Sequence, residues 1–450
     1  MAEDNHVLSQ VYELVEKEKD KIKADLSSIV SQPSVSAANL GVVECANLIK
    51  SLLQRDGFQT RFLETRTGRP AVYAEKGDSE KSILFYNHYD VQPPEPLDQW
   101  VTKPFELVEK EGVFYGRGVA DNKGEIIARL AAVRIVEKLL GRLPVTVKWF
   151  IEGEEEVGSP CIPELLSEHG NLLKGCMGCL WEGGDVVNDT PVFYLGVKGM
   201  LYVELSVKTA ESDAHSMYAP VLENAAEKLA RTLLRLKDRR GRVTVKGFYR
   251  DVLKPTKLER KLMSSAKLQP EDLAQALGVK KLAAKKSDVV EKLVFEPTCN
   301  IAGIVSGYTG PGSKTIVPST ASVKIDFRLV PNQDPNKILN SLKRMLHGVD
   351  IAVHTVAYPS RISFNERIVK IAVRAAEEVY RKPPRILPNM FGTGPLYHFT
   401  KLGIPTGLLS AIYHPGSKLH APNENIIADH FWKAVAHHAM VLTKAGEPVS

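Results

Sequence analysis

Three times within the first two hundred residues of this chain, a short apolar run ends on groups that do not belong in a core. ILFY at 83–86 leads to His88 and Asp90, PVTVKWFI at 144–151 to Glu152, Glu154, Glu155 and Glu156, and Leu180-Trp181 to Glu182. Apolar runs of this length read as buried strands of an α/β sheet, whose carboxyl ends are where such folds bind ligands. A histidine and several carboxylates collected there form the donor set of a hydrolytic metal site. A further short strand near 113–115 leads through GRG to Asp121. Strands at 60–63 and 71–74 precede the first run, so the sheet is expected to begin as a meander ending at His88. Apolar residues at helical spacing predict helices over 7–30, within 34–57, over 125–140, 365–380 and 427–444, the layers needed to cover the sheet.

From Gly199 the pattern changes. Strands are expected at 201–209, 300–305, 314–318, 321–330 and 349–358, with helices at 219–237 and 336–346 and a charged helical region at 257–292. This is a compact α+β unit lying between the acidic strand ends and the remaining histidines, His414 and His420. A chain of 450 residues exceeds one ordinary core, and the reading divides it into a catalytic domain of 1–198 and 359–450 with an inserted lid of 199–358.

Composition narrows the functional classes. With 44% hydrophobic and 25% charged residues the chain is that of a globular protein. A net charge of +6 is small for this length, and no basic stripe is interleaved with aromatics, which excludes a nucleic-acid surface. The densest basic run, Lys280, Lys281, Lys285 and Lys286, reads as the solvated face of a lid helix. No run approaches the ~20 apolar residues of a membrane span and the N-terminus lacks the core of a secretory signal, so the expected location is the cytoplasm. Five cysteines make no disulfide framework, and the single CxxC of Cys176 and Cys179 leads into a strand, which makes it structural. GYTGPGSKT at 307–315 lacks both the glycine before Lys314 and the following helix of a phosphate loop.

Zinc and manganese accept imidazole and carboxylate oxygen, and two such ions held close together need a bridging carboxylate. His88, Asp121, the Glu154–Glu156 cluster, Glu182 and His420 are the inventory of such a site. The motifs HYDVQP with Trp100, GRGVADNKGE, EGEEEVGS, DAHSM, EPTCNIAG, FRLVP and HAPNE resemble, in order and spacing, the dinuclear metallopeptidase family of carnosine dipeptidases, glutamate carboxypeptidase, acetylornithine deacetylase and succinyl-diaminopimelate desuccinylase. The resemblance runs from about residue 10 to 445 and leans toward the dipeptidase branch. It implies a zinc-peptidase-like catalytic domain, a mixed sheet flanked by helices, with an inserted α+β lid and dimerisation domain.

The resemblance also implies two divalent ions per subunit, Zn2+ or Mn2+. His88, Asp121, Glu156, Glu182 and His420 match the ligands, with Asp121 as the bridge followed by a cis peptide, Asp90 orients His88, and Glu155 matches the general base. His215 matches a histidine that acts in trans on the partner's oxyanion, which implies a homodimer. Arg328 matches the arginine that receives the substrate carboxylate, with Thr393, Gly394 and Asn300 completing that pocket. Glu182 departs from the aspartate usual in carnosine dipeptidases. The implied activity is cleavage of the amide bond of dipeptides or short peptides beside a free carboxylate. The alternatives are an N-acyl amino-acid deacylase or desuccinylase, and a catalytically silent scaffold.

Overall fold

The structure, a computed structural model, describes residues 2–265 and 270–447. The elements that place the site are α1 (Ala2–Ser31), β1 (Gln59–Leu63), β2 (Ala71–Lys76), β3 (Ser82–His88), α2 (Lys123–Leu140), β4 (Thr146–Glu152) and β5 (Cys176–Leu180). They are followed by β6 (Gly199–Lys208), β7 (Thr298–Ser306), β8 (Thr320–Leu329), α3 (Pro335–Met345) and β9 (Asp350–Ala357). The chain closes with α4 (Arg367–Tyr380), β10 (Thr406–Gly407) and α5 (Ala428–Gly446).

The first sheet has the order β1-β2-β4-β3-β5-β10. The expected meander is therefore corrected: β4 lies between β2 and β3. The reason is the helix α2, which carries the chain from β3 back to the same end of the sheet and lets β4 pair parallel to β3, Ser82 opposite Thr146 through His88 opposite Glu152. That register places His88 and Glu152 side by side at one sheet end.

β3 and β4 are apolar on both faces because both faces are covered. Ile83, Phe85, Val147, Trp149 and Ile151 pack under α1, α2, α4 and α5, whereas Leu84, Tyr86 and Phe150 pack on the opposite side with Leu165, Phe399 and Trp181. A separate cluster is drawn wholly from residues 201–351 and fills the space between the sheet β7-β8-β6-β9 and helices that include Ala225–Leu234 and α3.

Two expectations in this part change. The helix expected at 219–237 starts only at Ala225, because Asn224 caps it by accepting from the amides of Ala226 and Glu227. The charged region 257–292 contains the helices Lys257–Ser265, Pro270–Ala276 and Val289–Phe295; Gly278, at φ +64°, follows the second. The basic run thus lies between the α-helices and is exposed, with only Lys286 in a helical turn, the 3-10 turn Lys286–Asp288. Val294 and Phe295 join the core of the first sheet rather than the cluster of the insert. All five cysteines are buried and unpaired, Cys176 and Cys179 on β5, and 307–315 forms no helix. Among the described residues no helix is long and apolar enough to cross a membrane.

Candidate metal centre

The end of β3 delivers His88, fully buried. Its Nδ1 faces Asp90, 3.0 Å from the backbone oxygen and 3.4 Å from the carboxylate, which leaves Nε2 directed at Asp121 Oδ1, 3.0 Å away. Glu182, just beyond β5, lies 3.7 Å from the same Nε2. The other oxygen of Asp121 lies 3.1 Å from His420 Nε2, which is 3.3 Å from Glu156 Oε2. Two triads result, His88-Asp121-Glu182 and Asp121-Glu156-His420, each with ligand atoms within 4.8 Å of one another. They share only Asp121, whose peptide to Asn122 is cis.

The electrostatics of this cluster are those of a site built for cations. Burial pushes the Glu156 carboxyl up to about 7 and Glu182 up to about 8, with Asp121 adding to both. Burial with Glu182 and Glu156 as neighbours raises Glu155 well above the carboxylate range. Burial acts the same way on Asp121, but His420 and His88 outweigh it and hold that carboxyl low. Burial alone would depress the His88 ring, yet Asp121 and Asp90 raise it. Glu182 Oε1 is buried without a hydrogen-bond partner. Imidazole and carboxylate donors, one of them orphaned, fit zinc or manganese.

Asp90 does more than orient His88. Its two carboxylate oxygens accept from the amides of Glu155 and Glu156, 3.2 and 3.1 Å away, so one buried carboxylate fixes both the first histidine and the turn bearing the two glutamates. Glu152 and Glu154, which the acidic run does not distinguish from their neighbours, turn away. Glu152 accepts from Tyr86 and Ser159, and Glu154 pairs with Arg69.

Two residues of the site were not singled out by the sequence reading. Gln92 Nε2 donates to Glu156 Oε2 at 2.8 Å. Glu424, 1% exposed, accepts from the amides of Gly118, Ala120 and Asp121 at 2.9–3.0 Å and from Arg117 at 2.8 Å, tying the Asp121 loop to the chain that follows His420. Trp100 covers Arg117 from the far side, 5.3 Å away. Both stand inside quoted motifs, Gln92 in HYDVQP and Glu424 in HAPNE, which was the available signal.

The remaining candidates fall in two places. Arg328 donates to Thr393 Oγ1 at 2.8 Å and lies 3.8 Å from Asp326, which accepts from Asn300 at 2.8 Å, so the structure strings Asn300, Arg328 and Thr393 together. Thr393 and Gly394 share a cavity of about 530 Å³ with Glu155, Met200, Val356, Tyr358 and Tyr397. His215 stands apart from both triads: it is exposed on a two-residue strand paired with Ile316-Val317, its Nδ1 accepting from the Met217 amide.

A fold with a mixed sheet, an inserted α+β unit and paired ligand triads at the sheet end is the architecture of metallopeptidases. The chain belongs to Peptidase family M20/M25/M40, whose description matches residues 84–444. It is 31% identical to a Beta-Ala-His dipeptidase of Rattus norvegicus over 68% of this chain and 61% of the relative, and 28% identical to a Cys-Gly metallodipeptidase of Schizosaccharomyces pombe over 80% and 79%. The match thus spans about three-fifths of the length of the rat relative. The crystal structure of an M20 family metallo-carboxypeptidase from Sulfolobus solfataricus superposes with a TM-score of 0.88 at 40% identity, covering 94% of this chain and 99% of that one.

Proposed function

We propose that the protein is a dinuclear metal-dependent dipeptidase that cleaves the amide bond beside a free C-terminal carboxylate. The observation that carries this reading is the pair of ligand triads joined through Asp121 with Glu155 beside them. Asp121, Glu155, Glu156 and Glu182 bring four carboxylates into one buried site, a charge that two divalent cations neutralise. His88, Asp121 and Glu182 hold one ion, Asp121, Glu156 and His420 the other, with zinc or manganese suited to the donors. When bound, such ions lower the pKa of water and polarise the scissile carbonyl.

The chain's own residues supply the rest. Glu155 ligates nothing in this reading and takes the proton from the attacking water, passing it to the leaving nitrogen. Arg328, with Thr393, Gly394 and Asn300, receives the carboxylate. The cavity between Glu155 and Thr393 accommodates the C-terminal residue, because one residue separates a scissile carbonyl from the terminal carboxylate. Residues 199–358 form the inserted domain, through which the chain dimerises and presents His215 to the partner's site as an oxyanion donor. Unpaired buried cysteines suit a reducing compartment such as the cytoplasm.

The test is a panel of dipeptides set against N-acetyl and N-succinyl amino acids, on protein reconstituted with zinc or manganese. Turnover confined to the acyl amino acids would replace the dipeptidase with a deacylase, and no turnover with no bound metal would leave a scaffold. Glu155→Gln is expected to lower kcat by about 10²–10⁴ with metal content unchanged; loss of both together would remove Glu155 from the role of base.

A further inference from the structure

The helix α2 carries an ion pair in the middle of an otherwise apolar surface. Glu125 and Arg129, one helical turn apart, are both fully buried, with Arg129 Nη2 at 3.2 Å from Glu125 Oε1. Taking a guanidinium out of water costs several kcal/mol, so its partners must answer for its position. They are two backbone carbonyls and a side-chain amide. Arg129 Nη1 donates to the carbonyl of Tyr86 at 2.5 Å and to Asn87 Oδ1 at 2.7 Å, and Nη2 donates to the carbonyl of Trp181.

These acceptors surround the first ligand triad. β3 and β5 pair from Ser82 opposite Cys176 to Phe85 opposite Leu180, and no partners are paired beyond that point. Tyr86 and Trp181 are the next residues of the two strands. Arg129 therefore occupies the place where the ladder ends and bonds one carbonyl from each side, two residues before His88 and one before Glu182. Asn87, which accepts from both Arg129 and Trp149 Nε1, donates through its amide to Asn122, next to Asp121. Glu125 is in turn fixed by Ser410 Oγ at 2.7 Å and His438 Nε2 at 2.8 Å.

We infer that Arg129 is a positioning residue for the first metal site, holding the strand ends that bear His88 and Glu182 at ligand spacing. The planar fork is what the task requires, because donors to two strands and to a side chain must lie in one plane; a lysine ammonium is a point charge and reaches fewer of them. The two ligands peculiar to the second triad have no such link: Glu156 and His420 are held by Gln92, Asp90 and the chain around Glu424, and the amide of the shared Asp121 is itself fixed by Glu424. The inference rests on the dinuclear reading above.

The test is zinc binding by competition with a chromophoric chelator, on the full chain, in wild type, Arg129→Lys, and the pair Glu125→Gln with Arg129→Gln, which removes both charges. Each is also measured with His420→Ala, where the remaining ion reports the first site. Wild type binding no zinc would dismiss the dinuclear reading itself. With wild type binding two ions, Arg129→Lys is expected to weaken the first site 10- to 100-fold and leave the second at its wild-type affinity, with kcat/KM recovering in excess zinc. Equal weakening of both sites, or wild-type affinity at both, overturns the inference. If Arg129→Lys fails to fold, the paired variant decides by the same comparison, and failure of both to fold assigns Arg129 to the core alone and overturns it.

Discussion

Glu424→Gln is the sharpest probe of how the Asp121 loop is joined to the chain that follows His420. The carboxylate receives four donors, three amides from residues 118–121 and the Arg117 guanidinium, at 2.8–3.0 Å, and both side chains of the ion pair are 1% exposed. Glutamine keeps the shape but not the charge. Arg117 retains the Pro93 carbonyl, 3.0 Å away, and the Trp100 ring, neither of which neutralises it. Removing one partner of such a pair costs about 3–5 kcal/mol, because the other charge stays buried. The amide nitrogen of glutamine also faces backbone N–H groups in place of an acceptor, which leaves at least one of them unsatisfied.

The four tryptophans, Trp100, Trp149, Trp181 and Trp432, all lie outside residues 199–358, so their fluorescence reports the part of the chain that carries Arg117 and Glu424. With an m-value of roughly 3 kcal/mol/M, the urea midpoint of metal-free Glu424→Gln is expected about 1–1.7 M below wild type. Adding Arg117→Met removes the stranded charge and is expected to recover most of that loss. A single-variant midpoint within about 0.2 M of wild type, or a double variant no more stable than the single one, would refute the argument that these residues act as a charge pair.

Glu152, paired with His88 across β3 and β4 but outside both triads, supplies a pH test. Burial raises its carboxyl to about 8 although the Tyr86 hydroxyl draws it down. The folded chain thus keeps a proton that the unfolded chain releases above its ordinary value of 4.5. Stability therefore falls as pH rises from about 4.5 to 8, by at most about 1.4 kcal/mol per unit. Glu152→Gln, which cannot ionise, is expected to flatten the metal-loaded protein's urea midpoint between pH 5 and 8; an unchanged slope would contradict the assignment. Arg328→Lys is expected to raise KM for a dipeptide about 10-fold, worth about 1.4 kcal/mol, with kcat little altered. A C-terminally amidated dipeptide should show no such change, and an equal effect on both would detach Arg328 from the carboxylate.

What could be read from the sequence divides along a physical line. The candidate ligands were legible as a group because each stands where an apolar run stops or inside a motif of fixed spacing, and strand ends are local features: the fold brings His88, Asp121, Glu156, Glu182 and His420 together in two triads. Strand order was not legible, since the position of β4 between β2 and β3 depends on the crossover made by α2, a choice among pairings that no single segment encodes.

The buried polar supports escaped for a third reason. Periodicity assigns a charged side chain on an amphipathic helix to solvent, and α2 was read as a helix with one broad apolar face. In the structure 14 of its residues are buried, so it has hardly any solvent face, and Glu125 and Arg129 turn inward with the rest. The anomaly was present as two opposite charges at positions i and i+4 within a run of Ile, Ala, Leu and Val. Such a pair on a surface helix is worth a few tenths of a kcal/mol and carries no information. On a helix that the neighbouring β3, α1 and α5 must enclose, the same pair is expensive to bury, and its retention implies a partner needing those donors. Here the partners are the carbonyls and amide that end the strands of the first ligand triad.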